Sequence, residues 1–361
     1  MEYYIGLDVS QRQTAICIVD GKGSLVKEGK TVTTPSDIYA WITKHIDPKL
    51  IKTVGLEAGA MSAWLYTELS KVGLPMLCME SFQAAEFLKA QRNKTDKNDA
   101  RGLAQLVRMG GEFIKPVLIR NQSNQEARTL LTMRHFLVGQ KVDLENNITG
   151  TLKPFGLITP RGNTSAKTFR ERVLAILDRA DERDILIRGS VMPSLDIYDT
   201  LCKQVAVLSK KVEIMAKADP ICRLLMTAPG VGPIVALSFV TAIENPKRFK
   251  DPDDIGAYFG LTPKQYQSGE TDKQTGISKR GDIMTRTHLV QAATVLLTSC
   301  KKWSVLKAWG MKIAKRHGFF KARIAVARKL ATILCKMWLK GQEFCWTKTP
   351  ANTVLAVATP A

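Results

Sequence analysis

Tyr3-Tyr4-Ile5-Gly6-Leu7-Asp8-Val9 is a short apolar run with a single carboxylate inside it. It lacks in/out alternation, which predicts a strand covered on both faces. An ionised Asp8 in such a strand is costly unless it is paired or binds a metal. Gly6 lies two residues earlier on the same face and leaves room beside the carboxylate. Downstream, residues 14–19 read as a second strand, Gly21 to Gly23 as a turn and residues 24–32 as a third strand. That is an antiparallel meander. A helix follows at about 35–46 with Ile38, Trp41 and Ile42 on its apolar side, then a fourth strand at 51–57. Glu57 stands at the C-terminal end of that strand, where α/β sheets place ligand sites. A helix at about 61–71, a strand at 75–79 and a helix at about 82–90 give the order βββαβαβα.

Asn93-Lys94-Thr95-Asp96-Lys97-Asn98-Asp99-Ala100 precedes Leu103, Ala104, Leu106 and Val107, an apolar pattern at helical spacing. Asp96 and Asp99 therefore open a helix and share one of its faces. Acidic residues in a first turn are also ordinary helix caps that favour the positive end of the dipole. Spacing alone leaves both readings open.

Three antiparallel strands followed by parallel crossovers is the order of an RNase H-like domain. The expected fold class is α/β: a RuvC-like mixed sheet, then a helical coiled-coil segment, then a mostly α-helical domain. Ile5-Gly6-Leu7-Asp8-Val9, Gly55-Leu56-Glu57-Ala58-Gly59 and the stretch 93–100 closely resemble the DEDD transposases of bacterial insertion sequences, relatives of the Piv DNA invertase. The resemblance runs to about residue 340. It implies that Asp8, Glu57, Asp96 and Asp99 form one carboxylate site. It also implies a bridge RNA as guide.

Residues 122–153 form a long helical stretch with Leu130, Leu137 and Leu144 seven apart. Residues 154–168, with Pro154, Gly156, Pro160 and Gly162, read as a loop. A second helical run carries Leu201, Val205, Leu208, Val212 and Met215, alternating steps of four and three that make a coiled-coil seam. The seam fits an antiparallel hairpin within the chain or pairing between subunits. Ala228-Pro229-Gly230-Val231-Gly232-Pro233 joins two short apolar helices, either as a helix-hairpin-helix offering amides to a phosphate or as a plain tight turn. A polar loop is expected over 264–281. The expected domains are 1–110 catalytic, 111–220 assembly, 221–342 C-terminal, and a loose tail over 343–361.

The 361 residues carry a formal net charge of +20, which points to a polyanionic partner. From Lys301 to Lys340 there are twelve Lys or Arg and no acid, with Trp303, Trp309, Phe319, Phe320 and Trp338 interleaved. The seven cysteines form no Cys-x-x-Cys pair and the four histidines show no metal-ligand spacing, so neither zinc nor a disulfide framework is indicated. No run reaches transmembrane length and no signal peptide is evident, so a cytoplasmic protein with no membrane partner is expected.

Four carboxylates at one sheet edge require cations. Two Mg²⁺ ions, for which Mn²⁺ could substitute, would neutralise them and clamp a phosphodiester. The resemblance adds a serine nucleophile in a Tyr-x-Ser-Gly loop, which matches Tyr266-Gln267-Ser268-Gly269. Relatives often carry two arginines before that tyrosine, where this chain has Lys264 and Gln265. Lys94, Lys264, Lys279 and Arg280, with the amides of Gly230 and Gly232, are the candidate nucleic-acid contacts. The expected partners are donor and target double-stranded DNA, a noncoding bridge RNA, and further copies of the chain in a dimer or tetramer. Three activities compete. They are an RNA-guided recombinase using the carboxylates and Ser268, a RuvC-like structure-specific endonuclease of the Holliday-junction-resolvase type using metal alone, and a non-catalytic nucleic-acid-binding protein.

Overall fold

Glycines at positions 6 and 55 are Cα partners on neighbouring parallel strands, and this pair shapes the N-terminal unit. A computed structural model describes residues 2–89, 95–110, 114, 116–159, 166–178, 185–268 and 271–347. The chain divides into two compact units, residues 1–121 and 122–361.

In the first unit the elements are β1 (Tyr3–Val9), β2 (Gln13–Asp20), β3 (Leu25–Val32), α1 (Pro35–His45), β4 (Ile51–Glu57), α2 (Ser62–Lys71), β5 (Met76–Met79), α3 (Ser81–Leu88) and α4 (Asp96–Met109). The sheet order is β3-β2-β1-β4-β5, with β1 antiparallel to β2 and parallel to β4. This is the mixed RNase H-like sheet expected from the element order. Odd positions of β1, Ile5 and Leu7, bury against Ile38, Ile42 and Leu65 of α1 and α2. Even positions face α4. A Cβ on Gly6 would fall 2.3 Å from both the Ala100 carbonyl oxygen and the Ala104 amide nitrogen. A Cβ on Gly55 would meet the Val107 side chain. Only bare backbone at these two positions lets α4 lie directly on the sheet.

The second unit starts with α5 (Gln122–Leu152), α6 (Ala166–Leu177) and α7 (Ile185–Ala218). The long helices α5 and α7 pair with each other, so the coiled-coil seam is satisfied within the chain. Val212 is buried, whereas Leu201, Val205, Leu208 and Met215, and Leu130, Leu137 and Leu144 opposite, are half-buried. At one end of the pair, Ile148, Leu152, Phe169, Val173, Leu195 and Tyr198 form a separate small core with α6. Helix α6 begins inside the stretch expected to be a loop.

At the other end, Ala127, Leu131, Val212 and Ala216 join the core of the C-terminal helices. Those are α8 (Pro220–Leu225), α9 (Pro233–Ile243), α10 (Asp254–Tyr258), α11 (Ile283–Thr298), α12 (Val305–His317) and α13 (Phe319–Lys340). The core therefore runs across the boundary expected at residue 220. The expected tail is anchored at its start: Phe344 is buried and its amide donates to Thr227 Oγ1 at 3.1 Å. Residues 348–361 lie outside the described residues.

The expected polar loop over 264–281 is instead an antiparallel hairpin, β6 (Pro263–Ser268) and β7 (Thr271–Ile277). Its strands are polar on both faces, so no hydrophobic alternation marks them in the sequence. Among the described residues, no helix is long and apolar enough to cross a membrane.

Candidate active site

The strand register carries Asp8 to the end of β1 on the α4 side. Asp8 pairs with Ala15 of β2, and Ala15 with Lys30 of β3. Cross-strand partners share a face, so Asp8, Ala15 and Lys30 form one row. Ala15 is small and buried, and Lys30 reaches past it to the first turn of α4, donating to Asp96 Oδ2 at 2.6 Å. Glu57 ends β4 on the neighbouring parallel strand, one step beyond the Leu7–Leu56 pair.

Helix α4 is held at this end of the sheet by side chains along β3 and its turn. Lys97 and Arg101 both pair with Glu28, and Gln105 donates to the Gly23 carbonyl at 2.7 Å. These two cations are thereby turned toward β3. The cap of α4 is Thr95, whose hydroxyl accepts from the Asn98 amide at 3.2 Å. Asp96 and Asp99 are therefore not needed to close the helix start. Lys94, the residue before that cap, lies outside the described residues.

Electrostatics bring the set together. Burial, with the charges of Asp99, Asp96 and Glu57 adding in the same direction against Lys30, raises the Asp8 carboxyl to about 6. All four carboxylates thus share one field. The Asp96 carboxyl is lowered by its hydrogen bond and charge contact with Lys30. Among the described residues, no three Asp, Glu, His or Cys side chains close into a ready-made cage for an ion. The donor set is nevertheless oxygen only, and its members stay ionised together only if cations offset their repulsion. That chemistry fits hard divalent ions.

In the second unit, Ser268 is the last residue of β6 and pairs with Thr271, so it stands at the tip of the hairpin. The hairpin base is fixed firmly. The Ser278 amide donates to the Thr262 carbonyl at 2.9 Å and the Lys279 amide to the Gly260 carbonyl at 3.2 Å. Gly260 and Gly281 have positive φ, 65° and 76°. A Cβ at either would strike backbone, the Arg280 carbonyl oxygen at 2.2 Å or that of Tyr258 at 2.0 Å. Buried Arg286 donates to the carbonyls of Phe259 and Arg280, at 3.0 and 2.9 Å, from one nitrogen. Asp282 caps α11 through the Thr285 amide and is ion-paired with Arg128 of α5. Burial works to raise the Asp282 carboxyl, but Arg128 and the Thr285 donors hold it low.

Lys264, Lys279 and Arg280 are exposed on the strand and at the base of this hairpin. Gly230 and Gly232 divide their work. Gly230, φ 78°, packs against α11, where a Cβ would sit 2.3 Å from the Ala292 carbonyl oxygen. Gly232 is the N-cap of α9 with open space around it.

Lys30, Arg128, Asp282 and Arg286 also take part in these arrangements, without a motif to mark them. Register could have found Lys30, because it sits directly across from Asp8 once three strands are aligned. Nothing in the sequence marks Arg286, a buried arginine that serves main-chain carbonyls.

A transposase model of the IS110 DEDD type matches residues 5–156, and a model described as Transposase IS116/IS110/IS902 family matches residues 222–308. Together they take in about two thirds of the chain. The chain belongs to the IS110/IS116 family of insertion-sequence transposases. It is 28% identical over 346 residues to the transposase for insertion sequence element IS1111A of Coxiella burnetii, covering 94% of this chain and 90% of that protein. It is also 28% identical to the transposase for IS1328 of Yersinia enterocolitica, over 81% of this chain and 85% of that one. A probable family 20 transposase of Pseudomonas aeruginosa is 26% identical over the same shares. A transposase of this family acts on DNA, and a DEDD domain depends on divalent metal.

Proposed function

We propose that this IS110-family transposase cuts and rejoins DNA in two transesterifications, using the Asp8–Glu57–Asp96–Asp99 site and Ser268 as nucleophile, with a structured bridge RNA as guide. What supports the reading is the placement of Asp8 at the end of β1 beside Glu57 at the end of β4, with Asp96 tied to the same row through Lys30; burial and the other carboxylates raise Asp8 accordingly. A strand interior does not keep such a group for stability alone. Two Mg²⁺ ions, when bound by the four carboxylates, supply the positive charge that holds the scissile phosphate and stabilises the displacement.

The remaining steps belong to the chain's own groups. Asp8 and Glu57 fix the site to rigid strand ends, and Asp96 and Asp99 complete it from a helix capped by Thr95. Ser268 Oγ forms a bond to phosphorus while the bond from phosphorus to one ester oxygen breaks. The serine proton passes to solvent, and the departing oxygen takes one up. A hydroxyl of the incoming strand then displaces Ser268 from the phosphoester and restores the free serine. Each step exchanges one phosphoester for another, so no outside energy source is needed. Lys264, Lys279 and Arg280 serve the backbone phosphates near the hairpin. The Gly232 amide end of α9 adds a phosphate contact in the same unit, and Lys94 is a separate candidate contact in the first unit. Carboxylates of one subunit meet Ser268 of another in a dimer or tetramer.

The test is strand cleavage by the purified protein titrated with Mg²⁺ and with Mn²⁺. Asp8→Asn, Glu57→Gln and Asp99→Asn should each remove cleavage, because a shared site fails when any ligand is lost. Wild-type rates in any of the three would overturn the carboxylate assignment. Cleavage that persists with Ser268→Ala would instead favour a RuvC-like endonuclease acting by metal alone, since all four carboxylates lie in the first unit.

A further inference from the structure

We propose that the turn between α12 and α13 binds unpaired bases of single-stranded DNA, stacked on Phe320 and Phe319 and held at their phosphates by Lys315, Arg316, Lys321 and Arg323. The stretch Lys315-Arg316-His317-Gly318-Phe319-Phe320-Lys321 is exposed at every residue. Phe319 is 37% and Phe320 72% exposed, an unusual placement for two adjacent aromatic rings. Gly318, φ 85°, links α12 to α13, and the two phenylalanines are the first residues of α13.

Arg323 lies over the Phe320 ring at 4.6 Å from its centroid. Its Nε is buried and has no hydrogen-bond partner. Among the described residues, no carboxylate is ion-paired with Lys315, Arg316, Lys321 or Arg323. A guanidinium stacked on an aromatic and lacking an acceptor is the arrangement that takes a nucleotide, with the ring facing a base and the cation facing an oxygen of base or phosphate.

Charge decides the occupant. The segment from Lys301 to Lys340 has twelve basic residues and no acid. A second copy of the chain seated face to face on this patch would bring like charges together. A polyanion is matched. A duplex keeps its base faces stacked inside and offers the two rings little to cover them, whereas an unpaired strand offers every base. The substrate of a transposase is DNA, and strand exchange passes through unpaired DNA, so the site is assigned to that strand. This assignment stands whether or not Ser268 is the nucleophile.

The test uses the full-length protein, with labelled thymidine oligomers of about twenty nucleotides, the matching duplex, and an abasic oligomer of equal charge. Phe320→Ala and the double variant Phe319→Ala, Phe320→Ala should weaken the thymidine strand by about 5- to 100-fold. Duplex and abasic affinities should change less than about twofold, since phosphate contacts are untouched. Phe320→Trp should retain binding. Lys315→Ala with Arg316→Ala should weaken all three probes and flatten the salt dependence. Equal losses on strand and duplex, or an unchanged preference for bases in the double variant, would overturn the proposal. A uridine RNA oligomer bound more tightly than the DNA, with the same dependence on Phe320, would overturn the assignment to DNA. Loss of self-association without any change in strand binding would make the patch a contact between copies and overturn it as well.

Discussion

Thr95 separates two roles that the sequence leaves mixed. Because its hydroxyl caps α4, the carboxylates of Asp96 and Asp99 are released from capping duty. Stability and activity should therefore part cleanly at this turn. Thr95→Ala should cost about 1 kcal/mol of unfolding free energy, measurable by urea denaturation, while some cleavage survives. Asp96→Asn combined with Asp99→Asn should leave the unfolding free energy within about 0.5 kcal/mol of wild type and yet abolish cleavage. A large stability loss with near-normal cleavage in that pair would return both residues to the status of caps. At this scale the strand positions of Asp8 and Glu57 were legible, and a carboxylate inside an apolar strand or at its C-terminal end has few structural reasons to be there. Lys30 was not legible. Its role depends on the register of three strands, and β3 carries a second lysine, Lys27, that the sequence does not distinguish from it.

Among the elements, the five strands of the first unit announced themselves by apolar runs and turn residues. The β6–β7 hairpin did not. Its residues Lys264, Gln265, Gln267, Asp272 and Lys273 are polar on both faces, and its position is fixed from below by Arg286. Arg286→Gln keeps one donor near the two carbonyls but loses the charge. It should cost about 1.5–3 kcal/mol and lower the yield of serine–DNA adduct while leaving duplex binding within about twofold. A full adduct yield in this variant would show that the hairpin base does not set the tip.

His288 of α11 makes a second element-scale case. It is buried, its Nδ1 has no hydrogen-bond partner, and its ring meets that of His135 edge-on at 6.3 Å. Burial, with the nearby positive charges of His135, Arg134 and Arg128, lowers it to about 4. The unfolded chain thus takes up this proton before the folded one does. The contribution of His288 is complete above about pH 6.5 and is lost as pH falls toward about 4. The expected loss is on the order of 3 kcal/mol. His288→Leu should flatten that slope in denaturation curves taken across the window. An identical slope in the variant would assign the acid sensitivity to other groups.

For the whole molecule, a net charge of +20 is distributed unevenly: four carboxylates gather in the first unit, while residues 301–340, which include α12 and α13, contain no acid. The charge was legible as a sign of a polyanionic partner, and the family adds DNA. The intrachain pairing of α5 with α7 was not decided by the heptads, because a seam reads the same whether its partner is the same chain or another copy. The purified protein should carry a discrete RNA from its own locus, and binding of that RNA should weaken steeply between low and physiological salt. Recombination at full rate after complete ribonuclease treatment and repurification would remove the guide RNA from the account.

Ser268 is the residue proposed to become covalently joined to DNA. Ser268 and Tyr266 both lie on β6, and either hydroxyl could attack a phosphodiester. The direct measurement traps the adduct on a nicked suicide substrate in the presence of Mg²⁺, digests the protein and locates the modified residue by mass spectrometry. The expected result is DNA on Ser268, an adduct retained in Tyr266→Phe, and none in Ser268→Ala although that variant still binds DNA. DNA on Tyr266, or an adduct that survives in Ser268→Ala, would contradict it.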